Sequence, residues 1–165
     1  MNNLQNKQDL LKAFELYNVL IYKYIYVRVG RSKELAQDLA QEIFMKAWQH
    51  RDSYDSTKAT VKTWLFVITR NQLTDHFRRN RNNPLPLKDD IGFVEPGPDN
   101  DLLMQTILNR MNKLNDYDQE LITLRFIEDL SIEDVARIVN KQYTATKISI
   151  YRALSKLRKL VNENN

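Results

Sequence analysis

The sequence predicts an all-α protein made of two small helical domains joined by a flexible linker. Among its 165 residues are three glycines and four prolines, and all four prolines fall between residues 84 and 98. Because proline and glycine interrupt helices, the long stretches on either side of this window are free to be helical. Hydrophobic residues make up 42% of the chain, which is enough for two modest cores. We therefore expect domains at residues 4–82 and 101–163 and a linker at residues 83–100.

The first domain is expected to contain helices at about residues 7–29, 32–49 and 61–80. Aromatic and β-branched residues such as Tyr22 and Val27 crowd the first segment, so a strand is its competing interpretation. The length of this segment and its lack of turn residues favour a helix. In the second segment Ser32 can cap the helix, and the apolar residues that follow recur on one stripe. That stripe comprises Leu35, Ala36, Leu39, Ala40, Ile43, Phe44, Ala47 and Trp48.

The third segment, residues 61–79, reads VKTWLFVITRNQLTDHFRR and changes character halfway along. Its first half is apolar almost all round, as expected of a helix that packs on several sides. Its second half is basic. This combination suits nucleic acid, because aromatic rings can face bases while arginines hold phosphates. A core helix with a solvated basic end explains the segment equally well.

The second domain opens with an amphipathic segment at residues 101–114, after which Asn115 or Asp116 can cap a helix that extends to about residue 130. Ser131 and Asp134 have the spacing of a capping box at the start of a short helix. A turn at residues 140–143 follows, and Thr144 can cap the final, basic helix. Two helices joined by a short turn are typical of a helix-turn-helix motif, although αα-hairpins also occur in proteins that do not bind DNA.

The order of these segments resembles a known family. The pattern DLAQEIFMKAW, then Tyr54-Asp55, then KTWLFVITRNQLTDHFRR, is similar to the second conserved region of bacterial RNA polymerase sigma factors. The similarity is strongest to the extracytoplasmic-function (ECF) type, which keeps only two domains, and it extends over residues 10–82. The stretch LITLRFIEDLSIEDVARIVN and the later IYRALSKLRKL resemble the fourth conserved region, which reads the upstream promoter hexamer through a helix in the major groove. The resemblance implies a factor that binds RNA polymerase core and directs promoter-specific initiation.

The polar face of the second helix is the expected polymerase-binding surface. By the resemblance, its residues would contact the coiled coil of the largest polymerase subunit. They are Asp38, Gln41, Glu42 and Met45. An ordinary solvated helix face is the alternative interpretation.

The loop before the third helix and the helix itself are the expected single-stranded DNA surface. Extruding a base costs a few kcal/mol, and a pocket with an aromatic wall and amide groups can offset that cost. Asn71 offers both donors and acceptors to a base edge, whereas the arginines would hold phosphates without reading sequence. For Trp64, a place in the core is favoured over direct stacking on a base. The expected residues are Tyr54, Asp55, Trp64, Arg70, Asn71, Arg78, Arg79 and Arg81.

The final helix is the expected duplex-DNA surface. At 100° per residue its apolar residues Ile150, Ala153, Leu154, Leu157 and Val161 fall on one side, and Ile148 and Arg152 on the other. The family commonly carries a basic residue where this chain has Ser149 and a small polar residue where it has Ile148. Because of these two differences, the resemblance does not indicate which bases the helix reads. Packing of Ile148 on another domain is the alternative. The expected residues are Thr144, Lys147, Ile148, Ser149, Arg152, Lys156 and Lys159.

Other classes of function find little support in the sequence. The chain has no cysteine and two histidines, and it shows neither a Walker-type loop nor a nucleophile–base arrangement, so we expect no enzyme activity, no cofactor and no metal. It shows no apolar run of membrane-spanning length and no signal peptide, so we expect a cytoplasmic protein without membrane insertion. Its expected partners are polymerase core, promoter DNA in duplex and single-stranded form, and, as an open further possibility, an anti-sigma protein.

Two rival functions remain open. A stand-alone helix-turn-helix regulator would explain residues 116–160 but would leave the third helix and the polar face of the second unused. A helical adaptor without DNA-binding activity would explain the helices but not the paired basic segments.

Overall fold

The computed structural model describes residues 4, 7–30, 32–80, 107 and 109–162, and every regular element within these ranges is helical. The chain divides into two compact units, an N-terminal unit Met1–Asp89 and a C-terminal unit Asp90–Asn165. The all-α prediction is therefore confirmed. The expected linker at residues 83–100 lies outside the described residues, so its boundaries stay a prediction.

The N-terminal unit contains α1 (Lys7–Arg28), α2 (Lys33–Gln49), a 3₁₀ turn (Arg51–Ser53) and α3 (Val61–Arg79). Since α1 is helical over its whole length, the competing strand interpretation is wrong. Gly30 reverses the chain between α1 and α2 with a φ of 63°, a conformation that glycine adopts without steric cost. Each of the three helices packs against the other two.

The core of this unit forms where the first half of α3 meets α1 and α2. Phe66 is fully buried, and its ring meets that of Tyr24 edge to face with centroids 5.1 Å apart. Burial of a side chain such as Phe66 or Ile43 contributes about 2 kcal/mol. The predicted stripe of α2 is confirmed, because Ala36, Leu39, Ile43, Phe44 and Ala47 are buried and Leu35, Ala40 and Trp48 are half-buried.

Hydroxyl caps fix where α2 and α3 begin. The Ser32 side chain accepts a hydrogen bond from the Leu35 backbone N–H, as the sequence predicts. Thr60 does the same for the Thr63 backbone N–H at 3.1 Å. These bonds satisfy backbone donors that have no partner inside a helix, so each helix starts at a defined residue.

The C-terminal unit contains α4 (Asp116–Ile122), which continues as a π-helical turn (Thr123–Ile127), followed by α5 (Ile132–Val139) and α6 (Tyr143–Asn162). Asn115 caps α4, as one of the two predicted candidates, and Ser131 caps α5. Of the segment predicted at residues 101–114, residues 107 and 109–111 are helical, and 101–106 and 108 lie outside the described residues.

The helix expected to run from residue 116 to about 130 changes form partway. Beyond Ile122 the backbone widens, and the Glu128 N–H bonds to the Thr123 carbonyl, five residues back, at 2.9 Å. Asp129 then adopts a left-handed conformation with φ 49°, which ends the helical path before Leu130.

A left-handed residue also shapes the turn between α5 and α6. Asn140 has φ 54° and ψ 51°, and the Lys141 N–H bonds back to the Ala136 carbonyl at 2.9 Å. The chain therefore reverses early, and the Gln142 carbonyl accepts the first bond of α6 from Thr146. Thr144 lies inside the first turn of α6, so the prediction that it caps this helix is wrong.

The buried stripe of α6 packs on α4 and α5. Ile150, Ala153 and Leu157 are buried, and Leu154 and Val161 are half-buried, which confirms the predicted apolar side. Ala153 and Leu157 join a cluster with Met111, Leu114 and Ile122. The opposite side of α6 is left exposed.

The left-handed conformation of Asn140 predicts a specific sensitivity. Replacing Asn140 with Ile should lower the free energy of unfolding by about 1–2 kcal/mol, because a β-branched side chain clashes with its own backbone at positive φ. Replacing the exposed Gln142 with Ile, in the same turn, should change it little. Urea unfolding followed by circular dichroism measures both, and an equal loss in the two variants would contradict this account.

Candidate functional site

The face of α2 opposite its buried stripe is exposed. Asp38, Gln41, Glu42 and Met45 all lie on this polar face, and Met45 is 63% exposed. The structure therefore brings together the four residues expected to bind polymerase. An exposed methionine on a carboxylate-bearing face suits a protein partner, because thioether side chains adapt to irregular surfaces.

One edge of the polar face of α2 is bonded to α3. The Glu42 carboxylate accepts a hydrogen bond from Gln72 Nε2 at 2.5 Å, and Lys46 donates to Gln72 Oε1. Gln72 itself is buried, with 8% of its surface exposed. The sequence does not show that Gln72 links two charged residues of another helix. Its partners lie 26 and 30 positions earlier in the chain, and no helical spacing indicates contacts at such separations.

The loop between α2 and α3 has a defined shape. The Arg51 guanidinium stacks on the Trp48 ring, 4.1 Å from its centroid, and donates to the Trp48 carbonyl. The Tyr54 hydroxyl donates to the Ala59 carbonyl at 3.1 Å and so closes the loop. The rings of Tyr54 and Trp64 meet edge to face with centroids 5.5 Å apart, and both side chains are half-buried. Tyr54 and Trp64 thus form one aromatic wall, and Trp64, for which the sequence favours a place in the core, is only half-buried.

Asp55 holds the same loop through its carboxylate. Its Oδ1 accepts from the Thr57 hydroxyl at 2.6 Å and the Thr57 N–H at 2.9 Å, and its Oδ2 lies 3.0 Å from Lys58 Nζ. The hydrogen bonds from Thr57 are the main cause that lowers the pKa of Asp55 to about 2. Burial is the main cause that raises the pKa of Tyr54. At neutral pH the site therefore presents an anionic Asp55 beside a neutral tyrosine.

The second half of α3 carries the predicted polar and basic residues. Asn71 is exposed and follows Trp64 by seven residues, which places both on one side of the helix. Arg70 is half-buried, Arg79 is exposed, and Arg78 forms a 3.0 Å ion pair with Asp75 while its side chain stays 74% exposed. Arg81 lies outside the described residues.

The exposed side of α6 contains most residues predicted to contact duplex DNA. Ile148 is 47% exposed beside Arg152, and Ser149 is half-buried. The other exposed members of the predicted set are Thr144, Lys147, Lys156 and Lys159. Tyr151, which is 58% exposed, belongs to the same surface and was missed. Its position three residues after Ile148 was the available signal.

Lys156 differs from the other cations of α6 because it forms an ion pair within the fold. Its Nζ lies 2.5 Å from Oδ2 of Asp118, a buried carboxylate that also accepts from the Asn115 side chain. The ammonium therefore connects α6 to the start of α4. The Lys156 side chain nevertheless stays 55% exposed.

Two further features of the described residues bear on the site. Within them, no group of three or more histidine, cysteine or carboxylate side chains is placed to hold a metal ion. No helix among them is long and apolar enough to cross a membrane.

Comparison with known proteins assigns the class. The model of Sigma-70 region 2 matches residues 13–83, and that of Sigma-70 region 4 matches residues 104–157. The ECF RNA polymerase sigma factor SigM of Bacillus subtilis is 30% identical over 156 residues, which cover 92% of this chain and 94% of the relative. The chain belongs to the ECF-type sigma factors, the family that serves promoter-specific transcription initiation with RNA polymerase.

Two more similarities define its relatives. BldN, an ECF sigma factor of Streptomyces coelicolor, is 31% identical over 160 residues, covering 93% of this chain but only 60% of the relative's length. The sigma factor RpoE of Bartonella quintana, solved in complex with the anti-sigma factor NepR, superposes with a TM-score of 0.74. That structure is 25% identical and covers 96% of this chain and 99% of its own.

The Lys156–Asp118 pair predicts different roles for two lysines of α6. Lys156→Ala should lower the free energy of unfolding by about 1 kcal/mol, because it leaves a buried carboxylate with one partner fewer. Lys159→Ala, which removes the same charge from an exposed position on the same helix, should change it by less than about 0.5 kcal/mol. Urea titration of the two variants at the same salt concentration tests this, and matching midpoints would show that the pair does not stabilise the fold.

Proposed function

We propose that this chain holds RNA polymerase core through the exposed face of α2 and binds promoter DNA through two separate surfaces. The observation that carries the proposal is that α2, in a chain of the sigma family, has one buried face and one exposed polar face. Its stripe from Ala36 to Ala47 is buried, whereas Asp38 and Met45 face outward. A helix held rigidly on one side and exposed on the other offers a preorganised surface, which lowers the entropic cost of binding.

The first DNA surface is proposed to act on an unpaired strand. Tyr54 and Trp64 provide an aromatic wall, and Asn71 lies on the same side of α3 as Trp64. An extruded base needs a stacking surface and hydrogen-bonding groups, which these residues can supply. Because Asp55 is engaged by Thr57 and Lys58, its proposed role is to fix the loop that bears Tyr54. Arg70, Arg78 and Arg79 would hold the phosphates.

The second DNA surface is the exposed side of α6, which we propose enters the major groove of the upstream element. Ile148 and Tyr151 can pack on thymine methyl groups, and Arg152 can pair with guanine. Lys147 and Lys159 would hold phosphates. Since Lys156 pairs with Asp118, its proposed contribution is to fix α6 in place and only secondarily to contact the DNA backbone.

Further partners follow from the same proposal. Action on polymerase requires that the chain works in the cytoplasm. RpoE of Bartonella quintana is bound by an anti-sigma factor in its solved structure, and we propose that a protein of that kind also controls this chain.

Charge reversal on α2 tests the polymerase surface. The double variant Asp38→Arg, Glu42→Arg should weaken core binding about 100-fold, about 2.8 kcal/mol, because a like-charge contact across an interface costs several kcal/mol. Run-off transcription should be lost in parallel, with helicity by circular dichroism unchanged. Glu15→Arg, a charge reversal on the exposed part of α1, is the control and should bind core normally.

The same experiment separates the rival functions. A stand-alone DNA-binding regulator or an adaptor would give no core-dependent transcription even with the wild-type chain. Unchanged co-purification of the double variant with core would refute the proposed α2 surface.

Two substitutions on α6 should separate base reading from phosphate binding. Ile148→Ser should weaken binding to a promoter duplex by about 1 kcal/mol, mainly at one base pair, which is the scale of one mismatched position. Lys159→Ala should weaken all sequences alike and reduce the dependence of affinity on salt, because one phosphate contact is lost. Fluorescence anisotropy over a set of promoter variants at several salt concentrations distinguishes them. An unchanged sequence preference in Ile148→Ser would show that Ile148 does not read a base.

A further inference from the structure

Gln72 is a polar side chain buried in the contact between α2 and α3, with 8% of its surface exposed. Its Oε1 accepts a hydrogen bond from Lys46 Nζ, and its Nε2 donates to Glu42 Oε2 at 2.5 Å. An ammonium group can only donate and a carboxylate can only accept. The two partners therefore set the orientation of the Gln72 amide. Its oxygen must face Lys46 and its nitrogen must face Glu42.

The two partners of Gln72 differ in where they lie on α2. Lys46 is half-buried, whereas Glu42 is exposed on the face that carries Asp38 and Met45. Glu42 and Lys46 are four residues apart, the spacing at which a glutamate and a lysine pair on a helix surface. The Gln72 amide gives each of them a hydrogen bond to α3 instead, and this fixes the Glu42 carboxylate at the edge of the polar face.

We propose that Gln72 is a positioning residue for polymerase binding, which acts by holding Glu42 in the conformation that the polymerase meets. This inference rests on the proposed function of the α2 face. Gln72 itself is buried, so its effect passes through Glu42. An exposed glutamate without such a hydrogen bond samples several rotamers, and ordering it at an interface costs conformational entropy. Because the Gln72 bond already orders Glu42 in the free protein, less of that entropy is lost on binding.

The primary test is a double-mutant cycle on the full-length chain, with affinity for purified core polymerase measured by fluorescence anisotropy. Gln72→Met keeps the length and volume of the side chain but removes both hydrogen bonds. It should weaken core binding about fivefold, equivalent to about 1 kcal/mol. In a Glu42→Ala background the same substitution should have no further effect, because the residue through which it acts is gone. Leu73→Met, a packing change at the adjacent buried position, is the matched control and should leave core affinity unchanged.

A second variant tests the donor alone. Gln72→Glu keeps an acceptor for Lys46 but turns a negative charge toward Glu42, so Glu42 should be displaced. This variant should weaken core binding at least as much as Gln72→Met. Wild-type affinity in Gln72→Glu would overturn the proposal.

The hydrogen-bonded link can also be read without polymerase. In nitrogen–proton correlation spectra of the free chain, the side-chain amide signals of Gln72 should shift on Glu42→Ala. They should stay in place on Gln41→Ala, a change at the neighbouring exposed residue. Unshifted signals in Glu42→Ala would show that the link is absent in solution and would refute the inference.

The possible failures are distinguishable. If Asp38→Arg with Glu42→Arg binds core normally, the proposed α2 surface is wrong and the inference falls with it. If that double variant loses core binding but Gln72→Met keeps it, or if the effects of Gln72→Met and Glu42→Ala simply add, only the positioning role of Gln72 is refuted.

Discussion

Packing of α3 against both α1 and α2 is the contact on which the N-terminal unit depends. Phe66 is fully buried and meets Tyr24 of α1, while Gln72 reaches the charged residues of α2. Because these contacts occupy the faces of α3 that point inward, Asn71 remains in solvent. The same packing uses up one stripe of α2 and leaves its opposite face exposed. Both proposed surfaces of this unit are therefore by-products of one three-helix core.

In the C-terminal unit the proposed duplex-DNA surface results from how α6 is held. Its buried stripe packs on α4 and α5, and the Lys156–Asp118 pair connects it to the start of α4. A basic residue of the proposed DNA-binding helix thus has a structural partner. Such pairs show why a count of cations overstates the number of phosphate contacts, since a cation already bonded within the fold must exchange one partner for another.

The sequence predicts features that depend on local periodicity and fails where distant residues meet. The buried stripes of α2 and α6 and the caps at Ser32 and Ser131 follow from spacings of three and four residues, so they were predicted. The roles of Gln72 and Lys156 depend on partners 26 to 38 residues away, which no helical repeat encodes. The wrong prediction of a cap at Thr144 has another cause. The start of α6 depends on the left-handed backbone of Asn140, and asparagine adopts that conformation only in some contexts.

The C-terminal unit also reverses direction without glycine, since its described residues 109–162 contain none. Within that range the two left-handed positions are Asp129 and Asn140, residue types whose short polar side chains make that conformation accessible. A residue with a Cβ has fewer conformations in the unfolded chain than glycine has, so fixing it in a turn loses less entropy. The turn between α5 and α6 also joins elements that are adjacent in sequence, for which loop closure costs little. The contacts of this hairpin are therefore local in sequence, the kind that favours fast folding.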